Sequence, residues 1–445
     1  MVELFDGVVR FNPYTMFIDI ALIIFFIYDW IKLYKEYGLT LDYWTMTMSL
    51  SYVFPFLIMY PFAGSIYNVF AVGNNISLIQ NNIEFCYYVS LLGYMSMYLG
   101  RYIYDLKKGS SIINMLFIKP FKNSIGKLFL NTVKSKYTSI IVCCFYFFGL
   151  LLILIFARTL GDGDVRGIFQ ANPALRALYN FILILSSIVS LVLIARIFQY
   201  NTILDKVLIV MFFGFTLFIG ARAFLGIPII NLFGFYVFLY LKGKINLLKV
   251  VVVGGSVMFL GIGLSLVRSG DFSASGLISG FGMQVFYGNS FSDLRDFAWV
   301  NGYWDKDLLF GKTYLAGFMS FVPSYFSEFR TQWAAGRFTA ITVGFDPLEH
   351  PGLRPGLFGE SFFNFGLIGV SFLGTLLGYA YRYIDFQIKR ASISKTSNVI
   401  AISSLVSTMF ISNLTITSGF FSVYVFIVVL ISSAILSRIF SAISN

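Results

Sequence analysis

Charged side chains are scarce in this chain of 445 residues. Only 12% of the residues are Asp, Glu, Lys or Arg, whereas soluble proteins carry about 25%. Hydrophobic residues make up 58% of the chain, and its mean hydropathy is +0.80. These values exclude an ordinary soluble globule and favour an integral membrane protein whose helices face lipid.

Histidine and cysteine are nearly absent as well. His350 is the single histidine, and Cys86, Cys143 and Cys144 all fall inside apolar runs. Because no histidine lies near the cysteines in sequence, neither a metal site nor a disulfide framework is predicted. P-loop, GxSxG, HExxH and CxxC signatures are also missing, which argues against an ATPase, a serine hydrolase, a zincin and a redox protein. We therefore expect no metal and no cofactor.

Positive charge is in excess, with 32 basic against 21 acidic residues and a net charge of +11. A nucleic-acid partner would explain such an excess in a soluble protein. In a membrane protein, the positive-inside rule explains it, because lysine accumulates on cytoplasmic loops. We therefore expect membrane lipid and no nucleic acid as a partner. The segment Met1–Thr15 lacks the basic n-region of a removable signal peptide.

Long apolar runs are what the chain has in abundance. A spanning helix needs about 20 largely apolar residues, and this criterion predicts an all-α polytopic membrane protein with about eleven transmembrane helices. The predicted spans are 14–31, 44–62, 85–104, 138–157, 177–197, 207–221, 223–241, 248–267, 357–381, 398–412 and 418–437.

Lysine and arginine divide between the two faces of this layout. Lysines cluster in the connections after the third, seventh and ninth spans, which places those connections in the cytoplasm, the N-terminus outside and the C-terminus inside. Arginine dominates the outer face. Its planar fork suits phosphate and carboxylate, so an anionic ligand is expected there. The outer arginines are Arg158, Arg166, Arg176, Arg222, Arg268, Arg295, Arg330, Arg337 and Arg354.

One large outer segment divides the chain into residues 1–267 with eight predicted spans, a large outer loop at 268–356, and residues 357–445 with three predicted spans. The loop is semi-apolar and rich in glycine rather than hydrophilic. Its stretches 275–288 and 313–326 are too short or too interrupted to span a membrane, so they are predicted to be interfacial or re-entrant helices.

Two titratable residues near the end of this loop are candidates for proton transfer. His350 lies between prolines in FDPLEHPGLRPG, and an imidazole titrates near neutral pH. A solvated loop histidine is the alternative. Glu360 is predicted to lie in the first turn of the ninth span, where interaction with the helix dipole is the alternative to a catalytic or orienting role.

Arginines supply the candidate ligand contacts. Arg222 lies at the tip of a helix hairpin in IGARAFLG, and snorkelling to the interface is the alternative to ligand contact. Arg330 and Arg337 would share one face if their segment is helical, although salt bridges to Glu328 or Asp346 compete. Arg268, Arg295 and Arg354 complete the predicted substrate-binding set.

The helix layout, the late outer loop, the arginine in IGARAFLG, the Phe–Val–Pro–Ser segment and GESFFNFGLIGV together resemble O-antigen polymerases of the Wzy type. The most specific of these motifs is GExxxNFGxxG at 359–369. Such polymerases are similar to O-antigen ligases, which have the membrane glycosyltransferase fold called GT-C. Ligases pair a loop histidine with arginines, and His350 and Arg222 would match those residues.

The resemblance implies a specific reaction at the outer face of the bacterial inner membrane. The growing glycan would move from undecaprenyl diphosphate to the terminal sugar of an incoming lipid-linked repeat unit. Arginines would stabilise the diphosphate leaving group without a metal, and His350 or Glu360 would be the base. A chain-length regulator and a flippase of the same pathway are the implied protein partners.

Two rival functions remain open from the sequence. An O-antigen ligase would transfer finished polymer to lipid A-core by the same chemistry. A flippase would move lipid-linked units across the membrane, and we would expect it to carry charges along its helices. The charges of this sequence avoid the centres of the predicted helices and crowd the outer loops, which favours the enzyme.

Overall fold

The structure is a computed structural model, and it describes the greater part of the chain. Its described residues are 8–9, 12–37, 42–59, 65–66, 75–107, 112–135, 137–160, 173–217, scattered positions between 228 and 256, 293–322, 326–347, 350, 352–391, 402, 406 and 417–444. The predicted spans 223–241, 248–267 and 398–412 lie mostly outside these residues.

Helices account for nearly all of the described secondary structure. The helices before the large loop are α1 (Pro13–Tyr37), α2 (Tyr43–Met48), α3 (Ile76–Lys107), α4 (Lys119–Phe121), α5 (Lys127–Lys134), α6 (Thr138–Leu160), α7 (Pro173–Tyr200) and α8 (Ile203–Leu217). Those that follow are α9 (Asp293–Tyr303), α10 (Lys312–Phe318), α11 (Glu328–Trp333), α12 (Ala335–Thr342), α13 (Gly356–Ala391) and α14 (Phe420–Ser444).

Shorter elements complete the described structure. Wider π-helical turns continue α2 over Ser49–Met59 and flank α4 at Asn114–Ile118 and Lys122–Gly126. Single 3₁₀ turns lie at Met319–Phe321 and Thr417–Gly419. The strands that the structure describes are β1 (Val8–Val9) and β2 (Ser65–Ile66), which form one small antiparallel pair.

Four of the described helices are long and apolar enough to cross a membrane: Thr138–Thr159, Leu178–Tyr200, Gly356–Gln387 and Phe420–Ile443. They coincide with four of the spans predicted from the sequence, and they confirm an all-α membrane protein. At about 1.5 Å per residue, α1 and α3 also exceed the ~30 Å of a hydrocarbon core, and they cover the predicted spans 14–31 and 85–104.

The described chain divides into two compact units. The first contains Met1–Ser111, Lys244–Asp385 and Thr415–Ser418, and the second contains Ile112–Gly243, Phe386–Leu414 and Gly419–Asn445. Within the second unit, a buried ion pair fixes the turn between α7 and α8. Arg196 Nε lies 2.9 Å from Asp205 Oδ1, and the same guanidinium donates to the carbonyl of Val133 at 2.6 Å.

Small residues allow α3 and α13 to cross closely in the first unit. A Cβ at Gly374 would collide with the carbonyl oxygen of Gly93, and one at Gly378 would collide with that of Met97. The backbones of the two helices are therefore in direct contact at these glycines, as in other small-xxx-small contacts between membrane helices. Gly374 and Gly378, spaced as GxxxG in the sequence, thus serve close packing of the two helices.

The regular course of α13 is broken at Gly366, whose φ of 62° and ψ of −154° are non-helical. This combination is open almost only to glycine. The break leaves carbonyl groups without their helical donors, and a neighbouring loop supplies new ones. Leu309 N donates to Phe363 O and Phe310 N donates to Asn364 O, both at 3.0 Å. The loop before α10 is thereby fastened to the break in α13.

Candidate functional site

The first turns of α9 and α13 meet in the first unit. Asp293 begins α9 and Gly356 begins α13. Gly356 has a positive φ of 70°, and a Cβ there would lie 3.2 Å from Cβ of Asp293. Only glycine combines this backbone conformation with so close an approach. Because helix N-termini carry partial positive charge, their convergence favours negative charge at this point.

A buried ion pair holds the incoming loop against α9. Arg295 directs Nε and Nη2 to the same oxygen of Asp296, Oδ1, at 2.9 and 2.7 Å. The other oxygen of Asp296, Oδ2, accepts the backbone N–H of Arg354 at 3.1 Å. Arg295, predicted from the sequence to bind substrate, is thus buried and engaged inside the protein. Its geometry suits positioning of the loop that carries Arg354.

Asp293 is the titratable group that the sequence interpretation missed. Burial raises the pKa of its carboxyl to about 6, with a further upward contribution from Asp296, while Arg354 and Arg295 lower it. A carboxyl with this pKa is mostly ionised at pH 7 and is still a fair proton acceptor. The sequence offers little signal, because an acidic residue at a helix start is normally explained by the helix dipole.

His350 is half-buried and engaged through one nitrogen. Its Nδ1 accepts the backbone N–H of Gly352 at 3.0 Å, and its ring packs on Phe345 with a centroid distance of 4.4 Å. Burial lowers the pKa of His350, and the negative charge of Asp296 opposes that shift. An acceptor Nδ1 assigns the proton of the neutral ring to Nε2. In this tautomer His350 donates a hydrogen bond from Nε2 and does not accept a proton there.

The structure describes three further arginines of the predicted substrate-binding set: Arg330, Arg337 and Arg354. A break at Ala334, with ψ of 135°, separates α11 from α12. The segment is therefore not one continuous helix, so the condition under which Arg330 and Arg337 would share a helix face is not met. The guanidinium of Arg330 donates to the carbonyl of Val322. Burial lowers the pKa of Arg330, and the positive charge of Arg337 lowers it further. Arg354 is exposed on the loop that Asp296 holds.

Glu360 is the fifth residue of α13, beyond the first turn where the sequence placed it, and it is buried. Its carboxylate accepts the hydroxyls of Thr313 at 3.0 Å and Thr417 at 2.6 Å, and the N–H of Thr417 at 3.2 Å. Asn364 extends the network by donating to the hydroxyl of Thr313 at 2.7 Å. Glu360 thus ties α10 and Thr417 to α13.

Arg222 and Arg268 lie outside the described residues, and so does the loop stretch 275–288. In the part of the chain that the structure describes, no group of three or more His, Cys, Asp or Glu side chains could hold a metal ion. Cys86, Cys143 and Cys144 are free thiols.

The fold defines an all-α integral membrane protein, and at the start of α9 the partly buried carboxyl of Asp293 lies beside the exposed Arg354. No model of a known protein family, no curated protein and no solved structure matches the chain. The resemblance to O-antigen polymerases therefore stays a resemblance in layout and short motifs.

Proposed function

We propose that the protein polymerises oligosaccharide repeat units carried on undecaprenyl diphosphate, as part of bacterial surface polysaccharide synthesis. The observation that supports this function best is the group of residues at the start of α9, where Arg354 acts on the carboxyl of Asp293 and His350 lies within electrostatic reach of Asp296. It offers a base of suitable pKa, a cation and a neutral hydrogen-bond donor. Those are the groups that glycosyl transfer from a diphosphate requires.

In the proposed reaction the acceptor hydroxyl oxygen attacks the anomeric carbon of the donor glycan. Its proton passes to the carboxylate of Asp293, and the bond between the anomeric carbon and the phosphate oxygen breaks. Undecaprenyl diphosphate leaves with the bonding electrons. Arg354 stabilises the charge that gathers on the leaving group, because a guanidinium fork matches two phosphate oxygens. Nε2–H of His350 donates a further hydrogen bond.

We also propose the finer layout that the sequence predicts. The chain would have about eleven spans in a GT-C-like arrangement, with a periplasmic loop over 268–356, and would lie in the bacterial inner membrane. Arg222 and Arg268 would contribute to the same anion site, as the resemblance implies. A chain-length regulator and a flippase of the same pathway are the proposed protein partners.

Charge pairing inside the first unit favours an enzyme over a flippase. Arg101 contacts Asp29 at 2.6 Å and Arg382 contacts Asp105 at 2.8 Å. All four residues lie in the C-terminal halves of their helices. Within each pair, the two opposite charges neutralise each other. A charged translocation path would instead present its charges to the moving lipid.

A reconstituted reaction tests the proposal directly. The full chain in lipid nanodiscs should convert undecaprenyl-diphosphate-linked repeat units into a ladder of longer lipid-linked glycans without added metal or nucleotide. Asp293→Asn should slow formation of the ladder by about 10²–10⁴-fold, and Glu328→Gln, which alters an exposed carboxylate on α11, should not. If purified lipid A-core must be added before any product forms, the chain is a ligase.

A further inference from the structure

A cleft of about 330 Å³ opens between α9, α11, α12 and the loop before α10 in the first unit. Its volume is in the range of small-molecule sites. The cleft is lined by Tyr303, Trp304, Asp305, Asp307, Leu308, Leu309, Lys312, Gln332, Trp333, Phe338, Ile341 and Thr342.

One wall of the cleft is rigid. The loop before α10 is fastened to the break in α13 through Leu309 N and Phe310 N, and Asp305 Oδ1 accepts the N–H of Asp307 at 3.1 Å. Lys306 and Phe310 have positive φ values of 71° and 47°, which side chains other than glycine rarely adopt. Such strain concentrates at ligand-binding sites, where it fixes the side chains in place.

Aromatic rings and exposed polar groups face the cleft together. Trp304 is buried, Tyr303 is half-exposed, and Trp333 is half-buried with Lys312 Nζ 4.2 Å from its ring centroid. Asp305, Asp307 and Gln332 are exposed at the rim. Aromatic faces cover the C–H surface of a sugar ring, and carboxylate or amide groups pair with its hydroxyls.

The charge of the lining selects among possible ligands. Asp305 and Asp307 contribute two negative charges to the lining, and Lys312 contributes one positive charge. Lys306, between the two aspartates, is not part of the lining and donates its Nζ to Asn301 Oδ1 at 3.1 Å. The resulting negative balance disfavours phosphate and uronic acids. It suits a neutral or amino sugar, whose hydroxyls donate hydrogen bonds to carboxylates.

We propose that this cleft binds an uncharged or amino sugar ring of a glycan. In the proposed function this sugar ring would be part of the acceptor glycan. Only that role rests on the proposed function. Helix α12 links the two places: Phe338 and Ile341 line the cleft, while the hydroxyl of Thr339 donates to the carbonyl of Leu353 at 3.0 Å. Leu353 directly precedes Arg354, so a sugar in the cleft lies on the helix that supports the cationic loop.

Saturation-transfer difference NMR on the full chain in nanodiscs tests the assignment. The probe is the lipid-free repeat oligosaccharide, released by mild acid from its undecaprenyl-diphosphate carrier. We expect binding by the wild type. Asp307→Ala and Gln332→Ala should each raise Kd about tenfold, the usual effect of losing one hydrogen bond to a charged or amide group.

Loss of binding in the two alanine variants should not result from misfolding. Asp307 and Gln332 are exposed, and alanine favours the helix that contains Gln332, so both variants should fold. Trp333→Ala should abolish binding, and Glu328→Gln should leave Kd unchanged. A trimer of galacturonic acid should bind at least about tenfold more weakly than its methyl ester, in which the carboxyl groups are uncharged, because the rim is negative.

Failure of the assignment and failure of the proposed function give different results. If both alanine variants bind the oligosaccharide like the wild type, or the wild type does not bind it, the cleft assignment is wrong even when the lipid-linked ladder forms. If binding depends on Asp307 and Gln332 but no ladder forms, the sugar site stands and the polymerase proposal fails.

Discussion

Asp293 owes its proposed role to its surroundings, since burial raises its pKa to about 6 while Arg354 lowers it. A base must be deprotonated to act, so activity should fall as the pH drops through about 6 and level off above it. Asp293→Asn removes the proton acceptor, and we expect kcat to fall by about 10²–10⁴-fold with no acidic limb left in the residual activity. Initial rates of ladder formation between pH 5 and 8 measure both effects.

The outcome for the matched carboxylate decides whether this effect is specific. Glu328→Gln should retain the wild-type rate and the wild-type acidic limb. An Asp293→Asn variant whose pH profile keeps a limb near pH 6 would assign that limb to another group and remove Asp293 from the mechanism.

His350 offers a test that separates its loop role from its chemistry. Asparagine can accept the N–H of Gly352 in place of Nδ1, as in an Asx turn, but it has no group at the position of Nε2. His350→Asn should therefore keep the thermal stability of the wild type and lose about 10²–10³-fold in kcat, the usual effect of losing one donor to a developing anion. Thermal unfolding and initial rates measure the two quantities.

His350→Gln complements this variant because its longer amide can place an N–H near the position of Nε2. It should retain more activity than His350→Asn. Full activity of the asparagine variant would reduce His350 to a residue that shapes the loop. If His350→Gln and His350→Ala lose the same amount of activity, the result would support the role of proton acceptor that the sequence suggested for His350.

Arg354 is exposed on a loop held by Asp296, so its replacement should change ligand contact rather than folding. We expect Arg354→Ala to lower polymer formation at least about tenfold at unchanged protein abundance. Arg354→Lys should rescue poorly, because an ammonium cannot reproduce the bidentate fork. Polymer length and immunoblots of membranes provide the measurements, and full rescue by lysine would contradict the phosphate-clamp argument.

At the scale of elements, the break in α13 connects the motif GESFFNFG with the large loop. Gly366→Ala forces a side chain into a backbone conformation that costs about 1–3 kcal/mol. It should also weaken the bonds from Leu309 and Phe310 that the break makes possible. We expect a lower unfolding temperature in detergent and reduced activity.

Gly214→Ala is the matched control for this substitution. Gly214 lies inside α8 with no atom within 4 Å of an added Cβ, and alanine is the better helix former. The control should leave the unfolding temperature unchanged or raise it. An equally stable Gly366→Ala variant would show that the break is not required.

Sequence patterns predicted the long elements better than the site. Apolar runs located α6, α7, α13 and α14 because a membrane-spanning helix requires little beyond length and hydrophobicity. The sequence did not predict the break at Gly366, because a glycine within an apolar run is ordinary in membrane helices.

The site depends on contacts between residues that are distant in sequence. The pKa of Asp293 is set by burial and by Arg354. The partners of Glu360 are Thr313 and Thr417. No local pattern encodes these contacts. His350 and Arg354 were found from the sequence because unusual residues in a polar segment stand out in an apolar chain, but the tautomer of His350 required the structure.

At the scale of the whole molecule, the lysine distribution predicts that the loop with Glu328 faces the periplasm. A Glu328→Cys variant, with Cys86, Cys143 and Cys144 replaced by serine or alanine, should react with a membrane-impermeant maleimide once the outer membrane is permeable. Glu328 is exposed, so its position does not limit the reaction. Labelling that requires opening of the inner membrane would reverse the orientation.

The central claim is that this chain elongates lipid-linked glycans, and its deletion tests that claim most directly. A polymerase acts before transfer to the lipid A-core, so its loss should spare the transfer of single units. Gel electrophoresis of lipopolysaccharide from the deletion strain should show core capped with one repeat unit and no longer species. Long chains should return with the wild-type protein but not with Asp293→Asn. A bare core without the single-repeat band would contradict the account and indicate a ligase or a flippase.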